Sequence, residues 1–204
     1  MWSTLLSLPF FASGAYVNYW ETPYPELLGT PLLLFGGFVL VIGWYIHLVA
    51  APPTPTLRDD ETVVDTRHPT QKAAITKVLL ALPFLGVAAY LLFFSTIPYV
   101  YPTAAFVAGL YLFSTGILTY WTNSLTTYTI TTQRVISEFR LLSLVRTEVP
   151  MDKIRAVRES RSPVESLVGV GNIRVSSGTG TGLEVLIRNV DSVSAFAEQL
   201  RKQT

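Results

Sequence analysis

The parts of this chain that could perform chemistry are two glycine patterns and two histidines. Gly169 and Gly171 match the start of the dinucleotide-binding pattern Gly-x-Gly-x-x-Gly, in which the N-terminus of a helix holds a pyrophosphate. Arg174 stands where the third glycine is needed, and residues typical of a strand follow instead of a helix. We therefore predict a tight turn into a strand at this position.

A second glycine-rich segment, Gly178–Gly182, has the composition of a phosphate-binding loop. It lacks the Lys-Ser/Thr ending and the following helix of such a loop, so it is predicted to join two antiparallel strands. The histidines are His47, near the end of a hydrophobic run, and His68, in a polar stretch. We expect His47 to pack or to lie at a membrane interface rather than to relay protons, and His68 to be exposed.

No set of side chains in the sequence matches a known type of catalytic or metal site. The chain has no cysteine, which excludes disulfides, thiolate zinc sites and cysteine nucleophiles. No cluster of His, Asp or Glu has metal-ligand spacing, and no Ser-His-Asp arrangement belongs to a recognisable motif. We expect no catalytic residues, no cofactor and no metal, and a protein that is not an enzyme.

Long uncharged segments dominate the first half of the chain. Half of the 204 residues are hydrophobic and only 14% are charged, whereas an ordinary soluble domain carries about a quarter charged residues. Asp, Glu, Lys and Arg are absent from residues 1–20, 27–57 and 78–133. Because a helix needs roughly 20 apolar residues to cross a bilayer, four membrane helices are predicted, at residues 2–20, 30–51, 74–96 and 99–121.

The boundaries of these helices follow from proline and polar residues. Pro52–Pro55 end the second helix, and Pro98 and Pro102 separate the third from the fourth. The first segment is diluted by Pro9 and by Ser and Asn residues, so an interfacial helix or a signal sequence are its alternatives, although no basic residue precedes it. Glycines at seven-residue intervals favour close helix packing, either within the chain or between copies: Gly29, Gly36 and Gly43, and again Gly109 and Gly116.

The basic residues predict the topology. Of the fifteen Lys and Arg residues, four lie between Arg58 and Lys77 and eleven between Arg134 and Lys202. Short loops rich in Lys and Arg remain in the cytoplasm, so with four spans both termini and the loop at residues 52–73 are cytoplasmic. Loss of the first span would move only the N-terminus. We predict a multi-pass protein of the cell membrane, with a membrane region at residues 1–121 and a cytoplasmic domain at residues 122–204.

The C-terminal region is predicted to be a small all-β domain. Runs with strand-like alternation are bounded by turn residues, and a final segment with helical spacing opens at Asp191. About six strands closed by one amphipathic helix suggest a small antiparallel barrel or split sandwich. The predicted strands are Thr126–Thr131, Arg134–Phe139, Leu144–Val149, Ile154–Ser160, Asn172–Ser176 and Leu183–Arg188.

This region resembles the pleckstrin-homology-like (PH-like) domains of YdbS type found in bacteria and archaea. The resemblance is carried by Tyr128–Ile136, Arg146–Ile154, Leu167–Val175 and Asn189–Asp191, in that order. It implies a PH-like barrel capped by a C-terminal helix and accompanied by membrane helices. The chain departs from the family at Arg140-Leu141-Leu142, where a glycine usually follows the second strand.

The same family often has a short acidic, strand-prone stretch before its membrane helices, and Asp59–Asp65 stands at that position. The resemblance therefore predicts that Thr62–Thr66 adds an edge strand to the C-terminal sheet. The membrane hairpin would then be an insertion in the domain. The alternative is a solvated acidic loop.

The remaining functional signal is electrostatic. From residue 122 onward there are eleven basic and eight acidic residues, a surplus too small for nucleic-acid binding. We predict a scaffold that binds a protein partner or the anionic membrane surface; a solvated strand face is the simpler alternative. A second hypothesis is an accessory subunit of a transport or secretion complex, and homo-oligomers fit either. The candidate lipid or partner contacts are Arg146, Lys153, Arg155, Arg158 and Arg161.

Overall fold

The computed structural model describes residues 2–20, 29–49, 56–177, 184–191 and 198. The chain divides into two compact units, Met1–Ala51 and Pro52–Thr204. The predicted loop at Gly178–Gly182 and nearly all of the predicted C-terminal helix lie outside the described residues.

The first unit consists of two helices packed against each other, α1 (Trp2–Tyr19) and α2 (Gly29–Val49). Their contact uses small residues. A Cβ atom on Gly36 would lie 3.2 Å from the Cβ of Phe10, and one on Gly43 would overlap Ser3. The seven-residue glycine spacing of α2 therefore serves packing inside this chain, since small residues let helix backbones approach closely.

The second unit contains two antiparallel sheets and a helical hairpin. One sheet has the order β1-β2-β3-β4 and the other β5-β6-β7. Their inner faces share one apolar core that includes Tyr128, Val149, Ile173 and Ile187. The elements are β1 (Val63–Arg67), α3 (Lys72–Phe94), α4 (Val100–Ser124), β2 (Thr126–Thr131), β3 (Arg134–Arg140), β4 (Leu144–Pro150), β5 (Ala156–Ser160), α5 (Pro163–Leu167), β6 (Val170–Ser176) and β7 (Glu184–Asp191).

Strand β1 joins the first sheet across the membrane hairpin. It pairs antiparallel with β2, from Val63 opposite Thr131 to Arg67 opposite Tyr128, with one irregularity near its start. The hairpin formed by α3 and α4 is thus inserted between two neighbouring strands. The predicted division at residue 122 differs from the structure, because β1 and the hairpin belong to the same compact unit as the later strands.

Three helices are long and apolar enough to cross a membrane, by length and composition, among the described residues: Gly29–Leu48, Lys72–Phe94 and Val100–Ser124. Helix α1 forms over the predicted residues but is not among them. Ser3, Ser7, Ser13 and Asn18 lower its hydropathy, and Ser13 uses its hydroxyl to donate to the carbonyl of Pro9. Four spans were predicted, and three meet this criterion.

The hairpin of α3 and α4 is held together by small side chains. Ala74, Ala81 and Ala88 are buried on α3 at seven-residue spacing, and Gly109 and Gly116 are buried on α4. A Cβ atom on Gly116 would lie 2.7 Å from Val78 Cγ2 and 3.1 Å from the Val78 backbone nitrogen. Both glycine series noted in the sequence therefore lie in contacts within the chain.

Two local features complete the domain. The register of β3 with β4 is unbroken from Arg134–Pro150 to Arg140–Leu144, so the missing glycine leaves the turn and the pairing intact. Helix α5 was not predicted, although its start is readable. Ser162 accepts from the Glu165 N–H, the Glu165 side chain accepts from the Ser162 N–H, and Pro163 takes the first helical position.

Candidate functional site

A buried ion pair fastens the segment before the hairpin to the first sheet. Arg134 Nε donates to Glu61 Oε1 at 2.8 Å and Arg134 Nη2 donates to Glu61 Oε2 at 2.9 Å. The two side chains are 7% and 0% exposed. Arg134 also pairs with Glu148 of β4 and donates to the Thr56 carbonyl. This forked pairing is the geometry in which arginine binds a carboxylate most strongly.

The Glu61 carboxylate has further donors. The Thr131 hydroxyl donates to it at 2.6 Å and the Arg58 backbone N–H at 2.7 Å. The hydrogen bonds from Arg134, opposed by burial, lower the pKa of Glu61 from 4.5 to about 2. The same contacts raise the pKa of Arg134. Both groups are therefore charged at neutral pH, and their role is structural.

A polar network joins the base of the hairpin to the second sheet. Asn123, in the last turn of α4, donates to the Thr70 carbonyl at 2.9 Å and accepts from the Asn189 amide at 3.1 Å. The Thr70 N–H donates to the Asn189 carbonyl at 2.8 Å. Asn189 has φ 52°, a left-handed conformation that Asn adopts more readily than most residues. We call these three residues and Asn172, which accepts from the Asn189 N–H, the junction network.

The junction network fixes which end of the domain faces the hairpin. Asn172 donates to Glu165 of α5 at 2.9 Å, and α5 contacts α3. Lys72, at the start of α3, pairs with Asp191 at the end of β7 at 2.8 Å. These bonds hold the domain to both helices of the hairpin at several points, so the domain is a continuation of the hairpin rather than a tethered module.

The structure separates the five predicted contact residues into two groups. Arg146 lies on β4, half-buried, and its Nε donates to Glu138 at 2.7 Å. Its charge is therefore engaged inside the domain. Four residues on or beside the edge strand β5 are exposed, and none of them forms an ion pair with the described residues: Lys153, Arg155, Arg158 and Arg161. We call these four residues the basic stripe.

The basic stripe runs along the domain from its far end to its hairpin end. At the far end, the Met151 N–H donates to the carbonyl of Gln133, in the turn between β2 and β3. The Arg155 N–H donates to the carbonyl of Ser176 at the same end. The hairpin end is marked by Ser160, which lies opposite Asn172. Arg155 and Arg161 are six residues apart, about 20 Å along an extended strand.

The other chemical candidates are structural. Gly169 has φ 71° and precedes β6, as the predicted tight turn requires. His47 and His68 are both exposed, as expected for His68. Across the described ranges, no group of three His, Asp or Glu residues could hold a metal ion. An open apolar groove of about 820 Å³ lies along the first half of α4, and its lining includes Tyr99, Val107 and Tyr111.

The pairs that hold the domain together were not found from the sequence. In the sequence Arg134 is one of eleven basic residues in the second basic stretch, and Glu61 is part of an acidic stretch. Nothing in the spacing connects them, because the whole hairpin separates them in the chain. The junction asparagines carried no recognisable signal, although Asn123 falls where the uncharged helix gives way to the first strand of the domain.

Three helices apolar enough to cross a membrane accompany the two antiparallel sheets, which supports a membrane protein. The family model described as "Bacterial PH domain" matches residues 74–204, more than half of the chain. The chain belongs to this family, and both the predicted family and the predicted fold class are confirmed. Comparison with curated proteins and with solved structures finds no significant match.

Proposed function

We propose that this protein is a non-enzymatic membrane scaffold whose PH-like domain binds an acidic protein partner through the basic stripe. The observation that carries the proposal is that four exposed basic residues without an ion pair among the described residues lie together on and beside one strand. Arg58, Lys77 and Arg188 also lack an ion pair there, but they lie on or beside other elements. Arg67, Lys72, Arg134, Arg146 and Arg174 all pair with carboxylates of the same domain. The four stripe residues lack such partners within the described part of the chain, so their charges are available to another molecule.

The backbone of β5 adds a second recognition element. In the described residues β5 pairs only with β6, so one edge of the strand is open. Residues Ala156, Arg158 and Ser160 alternate with Val157, which packs on the core. An extended acidic segment could add to this edge by main-chain hydrogen bonds, with its carboxylates placed against the stripe.

The length of the stripe favours a protein over the anionic leaflet. Electrostatic attraction to a membrane decays within a Debye length, about 8 Å at physiological ionic strength. Arg155 and Lys153 lie toward the far end of the domain, roughly 20 Å along the strand from Arg161. Of the four residues, Arg161 is best placed for lipid headgroups, whereas a protein partner could use all of them.

The distribution of Lys and Arg supports a cytoplasmic orientation for the domain, since both basic stretches lie in the domain or at the end of the hairpin that joins it, with Lys72 and Lys77 in the first turns of α3. The hydrogen-bonded junction supports a scaffold role. A domain fastened to its membrane helices presents the bound partner at a fixed height and orientation. That arrangement suits assembly of a partner beside a membrane better than capture of a soluble ligand.

Charge reversal in the stripe tests the proposal. We expect Arg155→Glu with Arg158→Glu to reduce the amount of partner recovered with the intact protein from crosslinked membranes by tenfold or more, that is by at least about 1.4 kcal/mol. The matched control is Arg58→Glu with Arg188→Glu, which makes the same charge change at exposed residues outside the stripe. Equal loss in both variants would indicate general electrostatics, and no loss in either would contradict the proposal.

A further inference from the structure

Exposed leucines protrude from the end of the domain that carries the hairpin. Leu142, in the turn between β3 and β4, is 86% exposed, and Leu144, the first residue of β4, is 46% exposed. In α5, Leu167 is 77% exposed. All three lie at the same end of the domain, and exposed apolar patches commonly mark a binding surface.

The turn between β3 and β4 lies at the level of the end of α4. The Arg140 N–H donates to the carbonyl of Leu125, the residue after α4, and Phe139 lies opposite Thr126. Strand β3 runs back toward the hairpin, so the turn that follows Arg140 continues in that direction. The chain therefore points Leu141–Leu144 toward the plane from which the helices emerge.

Helix α5 lies beside the first turns of α3. It contacts α3, and the charge of Lys77 acts on the Glu165 carboxylate. Lys77 is five residues beyond the start of α3, about 8 Å along the helix axis. The polar region of a bilayer is about 5–8 Å deep on each side of the hydrocarbon core, a depth comparable to this distance, so a short helix beside the first turns of α3 can reach the headgroups.

We propose that the turn between β3 and β4 and helix α5 insert their leucines into the boundary between headgroups and acyl chains of the adjacent leaflet. With the hairpin, they hold the domain on the membrane at three places. The contact is apolar, with Arg161 beside α5 at headgroup level, and its partner is the lipid surface itself. It shares only Arg161 with the basic stripe, and it does not depend on the proposed scaffold function.

Single cysteines test this contact, because the chain has none of its own. The full-length protein in lipid nanodiscs is labelled with a nitroxide at Leu142→Cys or Leu167→Cys. Collision rates with oxygen, which concentrates in lipid, are then compared with those of a water-soluble nickel chelate. Glu184→Cys, at the end of the second sheet away from the hairpin, is the aqueous control, and Val107→Cys in α4 is the lipid control.

We expect the labels at 142 and 167 to collide more with oxygen than with the nickel chelate. The label at Val107→Cys should show the same preference, and the label at Glu184→Cys should show the opposite one. The depth should be unchanged when zwitterionic lipid replaces anionic lipid or when salt is raised, because the contact is apolar. Accessibility equal to the aqueous control would overturn the proposal. Labels shielded from both reagents would also overturn it, since they would show that protein, such as a second copy, covers the leucines.

Discussion

Replacing Arg134 with Met is expected to lower the free energy of unfolding of the PH-like domain by about 3–5 kcal/mol, because it leaves the buried Glu61 carboxylate without its cation. The carboxylate is fully buried, and two of its four hydrogen bonds come from Arg134. Urea unfolding of the full-length protein in detergent, followed by pulse proteolysis, measures the loss. Arg174→Met is the matched control, since the side chains of Arg174 and its partner Glu184 are 51% and 42% exposed and such surface pairs contribute about 0–1 kcal/mol.

The double variant Glu61→Leu with Arg134→Leu distinguishes the contribution of the two charges from the contribution of side-chain packing at this site. Replacing a buried ion pair by apolar side chains is often neutral or stabilising, whereas breaking it is costly. We therefore expect the double variant to recover most of the stability that Arg134→Met loses. A loss as large in the double variant as in the single one would show that the charges stabilise the fold themselves.

Acid should weaken the same contact. The folded domain holds the pKa of Glu61 at about 2, whereas the ordinary value is 4.5. Between these values the unfolded chain binds more protons than the folded domain, so stability falls as the pH falls. The contribution of Glu61 is complete above pH 4.5 and is lost as the pH falls through about 2. The Arg134→Met variant should lack this dependence.

Replacing Asn123 with Leu is expected to destabilise the junction between hairpin and domain by about 2–4 kcal/mol. The change removes the donor to the Thr70 carbonyl and the acceptor for the Asn189 amide, and an unsatisfied buried polar group costs about 1–3 kcal/mol. Amide exchange in nanodiscs should report the effect as faster exchange of Thr70 and Asn189, while Val135 in the domain core changes less.

Thr122→Leu is the control for the junction, because Thr122 is exposed on the same helix one residue away. It should leave exchange at Thr70 unchanged. If Asn123→Leu also left that exchange unchanged, the domain would not be fastened by this network. The scaffold hypothesis would then lose its argument from fixed orientation.

The success of prediction from the sequence differs between the parts of the fold for physical reasons. Strands β2, β3 and β4 are readable because alternation and turn chemistry are local signals, and Thr126–Thr131 was predicted with the bounds that the structure has. Strand β1 was only one of two alternatives. Five residues with a partner on the other side of two membrane helices have no local signal strong enough to distinguish a strand from an acidic loop.

The candidate site shows the same limit. Exposed charges such as Arg158 can be guessed from a cluster in the sequence, but whether a charge is free or engaged depends on its spatial neighbours. Arg146 belonged to the predicted set and is paired with Glu138. Arg134 and Asn123 became important only through partners more than fifty residues away in the chain. Burial and pairing across the hairpin are tertiary properties.

Photocrosslinking from the edge of β5 in native membranes tests the central claim most directly. Ala156→Cys carries the crosslinker on the exposed edge strand and leaves all four stripe residues intact, and Val64→Cys carries it on β1 as the control. We predict a discrete protein adduct from position 156 that is absent from position 64 and is lost when Arg158 is also changed to Glu. Lipid adducts alone from position 156, or the same products from both positions, would contradict a protein-binding role for the basic stripe.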